Sequence, residues 1–139
     1  METLVPGSFI LWTLVLVIPW LPWRNREILN VSNRTKPAFD EITVVIPARN
    51  EADVIQCTLL GLASQSERLK VVLVDDDSDD DTALLASKSP LTSLRIVKGK
   101  PLPVGWSGKL WAQHQGLELV ETPSVLLLDA DIYLDDGML

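Results

Sequence analysis

Short apolar runs rich in β-branched side chains recur along this chain, and each one ends in polar or acidic residues. The runs are Ile42–Ile46 (ITVVI), Val71–Val74 (VVLV), Leu94–Val97, broken only by Arg95, and Ser124–Leu128 (SVLLL). Pro47 is expected to end the first of them. Helical patterns separate the runs: Glu51–Ser64, with Ile55, Leu59 and Leu62 at helical spacing, then Thr82–Ala86 and Lys109–Val120. Strands that are apolar without alternation are buried on both faces. Their alternation with helices predicts an α/β fold with a parallel sheet covered on both sides. Ligands of such sheets bind beyond the carboxyl ends of the strands. Those ends carry Pro47-Ala48-Arg49-Asn50-Glu51, the segment Asp75–Asp81, and Asp129-Ala130-Asp131. On the helices, Cys57 is expected to be an inert, core-like thiol. His114 is expected to serve the surface or the packing.

The amino-terminal part follows a different rule. Residues 4–23 (LVPGSFILWTLVLVIPWLPW) are 20 residues without a charge. As a helix they would span about 30 Å, the hydrocarbon thickness of a bilayer. Trp20 and Trp23 fall where an interfacial belt would lie, and Pro19 and Pro22 would kink or end the helix there. A cleaved signal peptide should begin with positive charge, but Glu2 is the charged side chain that precedes the run, and no small-residue cleavage site follows. Arg24, Arg26, Arg34 and Lys36 come after it, which predicts a single-pass anchor with the following domain in the cytoplasm. Residues 24–40 read as a basic, polar linker. Two glycosylation-type triplets within it, at Asn30 and Asn33, are chance matches on this topology.

Charge narrows the function. The chain carries 12 Lys+Arg against 19 Asp+Glu, a net charge of -7. Six of the seven residues from Asp75 to Asp81 are aspartate, and without them the balance is 13 acidic to 12 basic. An acidic chain of this kind excludes a general nucleic-acid binder. One cysteine excludes an intrachain disulfide framework.

Three site types fail on spacing. A calcium loop starting at Asp75 needs Gly at its sixth position and Glu at its twelfth, where the chain has Asp80 and Ala86. A phosphate loop ending at Gly108-Lys109 needs an earlier Gly where Pro103 stands, and Ser or Thr where Leu110 stands. No Gly-x-Gly-x-x-Gly follows the first strand. What remains is Asp129-Ala130-Asp131, two carboxylates at the ligand edge of a sheet. Their repulsion is relieved by a hard divalent cation, Mg²⁺ or Mn²⁺, which can bridge to a diphosphate.

Taken in order, IPARNE after the first strand, VDDDS with Asp80 and Thr82 after the second, and LDAD after the fourth resemble the nucleotide-sugar half of inverting family 2 glycosyltransferases, which have a GT-A fold. The stretch Pro101–Ala112 (PLPVGWSGKLWA) resembles the hopene-associated branch of that family, which also begins with a membrane helix. The resemblance implies a Rossmann-like parallel sheet that binds a nucleotide-diphosphate sugar, a UDP-sugar, with a membrane and a lipid acceptor of hopanoid type as further partners. Pro47, Ala48 and Arg49 would line the base pocket. Many members have an aromatic residue where Arg49 stands, and a guanidinium plane can also stack on a base. Glu51 would reach the ribose, Asp76 would accept from the uracil imide, and Lys109 would offset diphosphate charge. Asp131 would bind the metal directly, and Asp129 would contact the metal or the ribose. Asp77 and Asp81 stand where the family often has Gly. Asp79 or Asp80 is expected to cap the short helix.

The general base of this family follows the Asp-x-Asp motif by many residues, and this chain ends at Leu139, eight residues after Asp131. The expectation for 41–139 is therefore a truncated, donor-binding half without a catalytic residue. Two other readings are a membrane-anchored, non-catalytic nucleotide-sugar-binding remnant and a signalling receiver, in which VVLVDDDS and VLLLDADI would be the acidic strand and the phosphoacceptor strand. For 37–139 alone, a bare fourth strand predicts poor solubility.

Overall fold

The computed structural model describes residues 38–139 together with Trp12 and Thr13. The expected membrane segment 4–23 and the linker as far as residue 37 otherwise lie outside the described residues. Trp12 and Thr13 are helical. Among the described residues no helix is long and apolar enough to cross a membrane.

The apolar runs form strands β1 (Ile42–Ala48), β2 (Lys70–Asp75), β3 (Leu94–Lys98) and β4 (Ser124–Leu127). They build one sheet in the order β3-β2-β1-β4, and every neighbouring pair is parallel. Helices α1 (Ile55–Gln65), α2 (Thr82–Ala86) and α3 (Gly108–Leu117) make the connections. On one face, Val44, Ile46, Val71 and Leu73 pack with Ile55, Leu59 and Leu62 of α1. On the other, Val45, Val72 and Val74 pack with Ala112 of α3. This is why the central strands are apolar throughout. Each fully buried Leu, Ile or Val contributes roughly 1.5–3 kcal/mol. α3 lies flat on β1 because position 116 is glycine: a Cβ there would stand 2.4 Å from Val45 Cγ1.

Most element boundaries move by a few residues, and two of the shifts have a clear local reason. β1 runs through Pro47 to Ala48 instead of stopping. Val45 accepts from Leu128 on the β4 side and Ala48 accepts from Asp76 on the β2 side. By alternation, Pro47 faces the β4 side, beyond the last register pair of Val45 with Leu127, where no donor is required of it. α1 begins at Ile55 rather than Glu51. Asn50 has a left-handed φ of 56°, and the N–H groups of Glu51 and Ala52 bond to α2 and the turn before it, not into a helix. α3 spans 108–117 rather than 109–120. Cys57 is a correction as well: the thiol is free and exposed, because Ile55, Thr58, Leu59 and Leu62 form the buried side of α1 and position 57 falls between them.

At β4, Leu126 and Leu128 join the α1-side core. Val125 and Leu127, on the α3 side, remain 42% and 46% exposed.

Candidate functional site

The chain builds β1, β2 and β3 outward in one direction, then α3 carries it back across the sheet to β4 on the far side of β1. The direction of winding therefore reverses between β1 and β4, and a crevice opens at that switch point. A cleft of about 380 Å³ occupies it. Its walls are Pro47, Ala48, Arg49 and Glu51 after β1, Asp76 after β2, Gly108, Lys109 and Ala112 of α3, and Asp129, Ala130 and Asp131 after β4. All eight residues singled out in the sequence meet in this cleft. Gly108, Ala112 and Ala130 were not foreseen. Gly108 and Ala112 are four apart on one helix face, a spacing that lets a helix approach a ligand closely.

The first wall is laced to the aspartate segment. Asn50 donates its N–H to Ser78 Oγ (3.0 Å), and its side-chain oxygen accepts from the Asp79 N–H (2.8 Å). Thr82 Oγ1 accepts from the Glu51 N–H at 2.8 Å, and Asp80 Oδ2 accepts from the Ala52 N–H at 3.1 Å. Asp80 Oδ1 also accepts from the Thr82 hydroxyl and from the Thr82 N–H. The Thr82 hydroxyl, opposed by desolvation and helped by these N–H donors, holds the exposed Asp80 carboxyl below its ordinary value of 3.8. The N-cap position of α2 is Asp81, which makes no side-chain cap; Asp80, one residue earlier, accepts from the N–H of Thr82, and Asp79 does not cap the helix. Asp75 Oδ1 accepts from the Ser78 N–H at 3.1 Å. Asp77 takes the left-handed φ of 59° that glycine would supply in this turn, which aspartate tolerates. Its 3.6 Å pair with Lys98 is exposed and weak.

Asp76 sits between two glycines. A Cβ on Gly108 would stand 2.8 Å from Asp76 Oδ2, and one on Gly99 would stand 3.4 Å from Oδ1. A second cleft of about 490 Å³ begins there, sharing Arg49, Asp76 and Gly108 with the first and continuing past Lys98, Lys100 and Leu102. It is the larger of the two but reaches neither Asp129 nor Asp131, so the paired-carboxylate chemistry belongs to the first.

At the opposite wall, Lys109 Nζ lies 2.7 Å from Asp129 Oδ1, both side chains about half exposed. The buried Thr58 of α1 donates its hydroxyl to the Ala130 carbonyl at 2.6 Å and fixes the backbone between the two aspartates. Among the described residues, no three His, Cys, Asp or Glu side chains could hold a metal. Asp129 and Asp131 are two hard oxygen donors in one cleft, which fits Mg²⁺ or Mn²⁺ only where water and phosphate oxygens complete the shell.

The segment leading into α3 is held by aromatic packing. Trp106 and Trp111 meet edge-on at 5.3 Å, and His114 stacks on Trp111 at 5.4 Å, in keeping with a packing role. Trp111 Nε1 donates to the Lys100 carbonyl, and Gln115 Oε1 accepts from the Lys100 N–H. Gly105, with a φ of 90°, turns the chain, leaving Leu102, Val104, Trp106 and Leu110 exposed.

The fold matches solved structures. TarS of S. aureus (residues 1–349) superposes with a TM-score of 0.58 at 28% identity, over 68% of this chain and 28% of that one. Glucosyl-3-phosphoglycerate synthase from Mycobacterium tuberculosis, in complex with Mn²⁺, UDP and phosphoglyceric acid, superposes with a TM-score of 0.53 at 26% identity, over 66% and 33%. The class is thereby defined as a Rossmann-like, parallel-sheet GT-A fold. Residues 43–139 match the model of glycosyl transferase family 2, and the chain belongs to that family. Among curated relatives, a 4,4'-diaponeurosporenoate glycosyltransferase of Staphylococcus haemolyticus is 28% identical over 124 residues. The match takes in 88% of this chain and 33% of the relative, so the chain spans about a third of that relative's length. The receiver reading fails on the sheet order as well. A receiver's phosphoacceptor strand lies beside its first strand, whereas here β1 separates β2 from β4.

Proposed function

We propose that this chain binds a nucleotide-diphosphate sugar, specifically a UDP-sugar, together with Mg²⁺ or Mn²⁺, and supplies the donor side of inverting glycosyl transfer. The observation that carries the reading is the convergence of segments 47–51, 76, 108–112 and 129–131 on one cleft at the switch point of the sheet. Pro47, Ala48 and Arg49 form the base wall, and Asp76, held between two glycines, presents a carboxylate acceptor to the imide. Glu51, fixed through its own N–H to Thr82, faces the ribose. Asp131 and Asp129 hold the cation, which when bound would neutralise charge developing on the leaving diphosphate. Lys109 and the amino-terminal end of α3 add positive potential on the same side. The chemistry completed by this donor site is a single displacement, in which an acceptor hydroxyl attacks the anomeric carbon.

The acceptor we infer is a membrane lipid, of hopanoid type. Three features support it: the uncharged 4–23 segment read as a single-pass anchor with the domain cytoplasmic, the exposed apolar side chains of Leu102, Val104 and Trp106 before α3 and Leu110 in its first turn, and a relative named as a 4,4'-diaponeurosporenoate glycosyltransferase.

Calorimetric titration of the full chain with UDP, with and without Mn²⁺, tests the donor reading. Metal-dependent binding is expected, and Asp131→Ala should remove the metal dependence. A folded sample that binds UDP neither with nor without metal refutes it.

A further inference from the structure

We propose that Lys109 is a place-holding cation: it occupies Asp129 in the free protein and transfers to the diphosphate as the metal enters, so that metal and nucleotide bind as one linked event. The inference rests on the donor-site reading above, and it concerns the order and coupling of binding there.

The geometry sets up a competition. Lys109 Nζ is 2.7 Å from Asp129 Oδ1. A Mg²⁺ on the same carboxylate would need a distance of about 2.0–2.1 Å from its oxygens. Ammonium and metal would then be neighbours on one anion and would repel. Among the described residues no third carboxylate, His or Cys is placed to help hold the metal. In the absence of nucleotide, the metal must therefore displace an ammonium and settle for two carboxylates and water. A diphosphate relieves both difficulties, because it gives oxygens to the metal and a new acceptor to the ammonium.

The fold allows this exchange without moving the helix. Gly108 is packed against Asp76, and Gly116 against Val45, so the helix is pinned at both ends. Lys109 projects from its first turn, exposed on a flexible four-carbon stem that can swing from one anion to the other. A half-exposed pair of this kind shifts an equilibrium by about fivefold at most. By linkage, the factor by which UDP tightens Mn²⁺ equals the factor by which Mn²⁺ tightens UDP.

The test measures Mn²⁺ binding to the full chain in detergent, by loss of the free-ion EPR signal, first alone and then with saturating UDP. The parent should bind Mn²⁺ weakly alone and markedly more tightly with UDP. Lys109→Met should bind Mn²⁺ alone about two- to fivefold more tightly than the parent, and UDP should tighten it by a smaller factor. Lys109→Arg, which keeps a cation on Asp129, should resemble the parent. Melting curves that overlay show that these changes are not losses of fold. If Lys109→Met binds Mn²⁺ alone no better than the parent while UDP tightens both equally, the place-holding role is overturned and the donor site stands. If the parent binds no Mn²⁺ even with UDP, the donor reading itself is what has failed.

Discussion

Replacing Thr58 by valine isolates one hydrogen bond that joins the core to the cleft. Thr58 is 1% exposed, and its hydroxyl donates to the carbonyl of Ala130, itself 4% exposed, at 2.6 Å. The alternative acceptor on its own helix, the Val54 carbonyl, is 3.5 Å away, so the single hydroxyl hydrogen belongs to Ala130. Valine matches threonine in shape and leaves no void; what it leaves is a buried carbonyl without a donor. That costs about 1–3 kcal/mol, and in a domain of this size each kcal/mol lowers Tm by about 4–8 °C. Thr58→Ser keeps the bond but removes a buried methyl, a loss of about 0.8 kcal/mol. Stability alone thus separates the two poorly, and ligand binding separates them well. Ala130 lies between the proposed metal ligands, so its release should weaken Mn²⁺–UDP binding about tenfold in Thr58→Val, the scale on which supports of metal ligands act, and scarcely at all in Thr58→Ser. Thermal melts and calorimetry on the full chain read both quantities. A Thr58→Val protein with the parent's Tm and the parent's affinity would refute the claim that this bond positions the Asp129–Asp131 segment.

Two further outcomes follow from packing and charge. Gly116→Ala places a Cβ 2.4 Å from Val45 Cγ1 and should cost about 1–3 kcal/mol by overpacking, while adding Val45→Ala should recover part of the loss; a double-mutant cycle in urea with no coupling would contradict it. Because Thr82 and its neighbours depress the Asp80 carboxyl, its contribution is fully present above the ordinary value near 3.8 and is lost as pH falls through the lowered folded value; denaturation midpoints between neutral and acid pH should therefore converge for the parent and Asp80→Asn, and parallel curves would sink the assignment.

The groups that face the ligand were readable because motifs at strand ends are local: Pro47-Ala48-Arg49, Asp76 and Asp129-Ala130-Asp131 each follow an apolar run, and a parallel sheet brings such ends together. What holds those groups was not readable, since its partners are distant in the chain. Asn50 and Glu51 meet Ser78 and Thr82 across 28 and 31 residues, and Thr58 meets Ala130 across 72. Asp80 receives the Ala52 N–H across 28 residues, whereas the Asp75 bond to the Ser78 N–H is local, three residues on. Pro47 was read as a strand stop because a missing N–H matters on a paired side, and which side is paired is a property of the sheet. The general burial of free thiols misplaces Cys57, because the pattern of Ile55, Leu59 and Leu62 points position 57 outward. The crossover helix carries the largest hidden load. Its sequence marks Lys109 as a site residue but not the contacts it and two glycines make: Gly108 abuts Asp76, Lys109 pairs with Asp129, and Gly116 admits Val45. One helix thereby sets the spacing between the proposed base wall and the proposed metal wall. For that reason small changes at positions 108 and 116 should disturb nucleotide binding even though neither side adds a polar contact of its own.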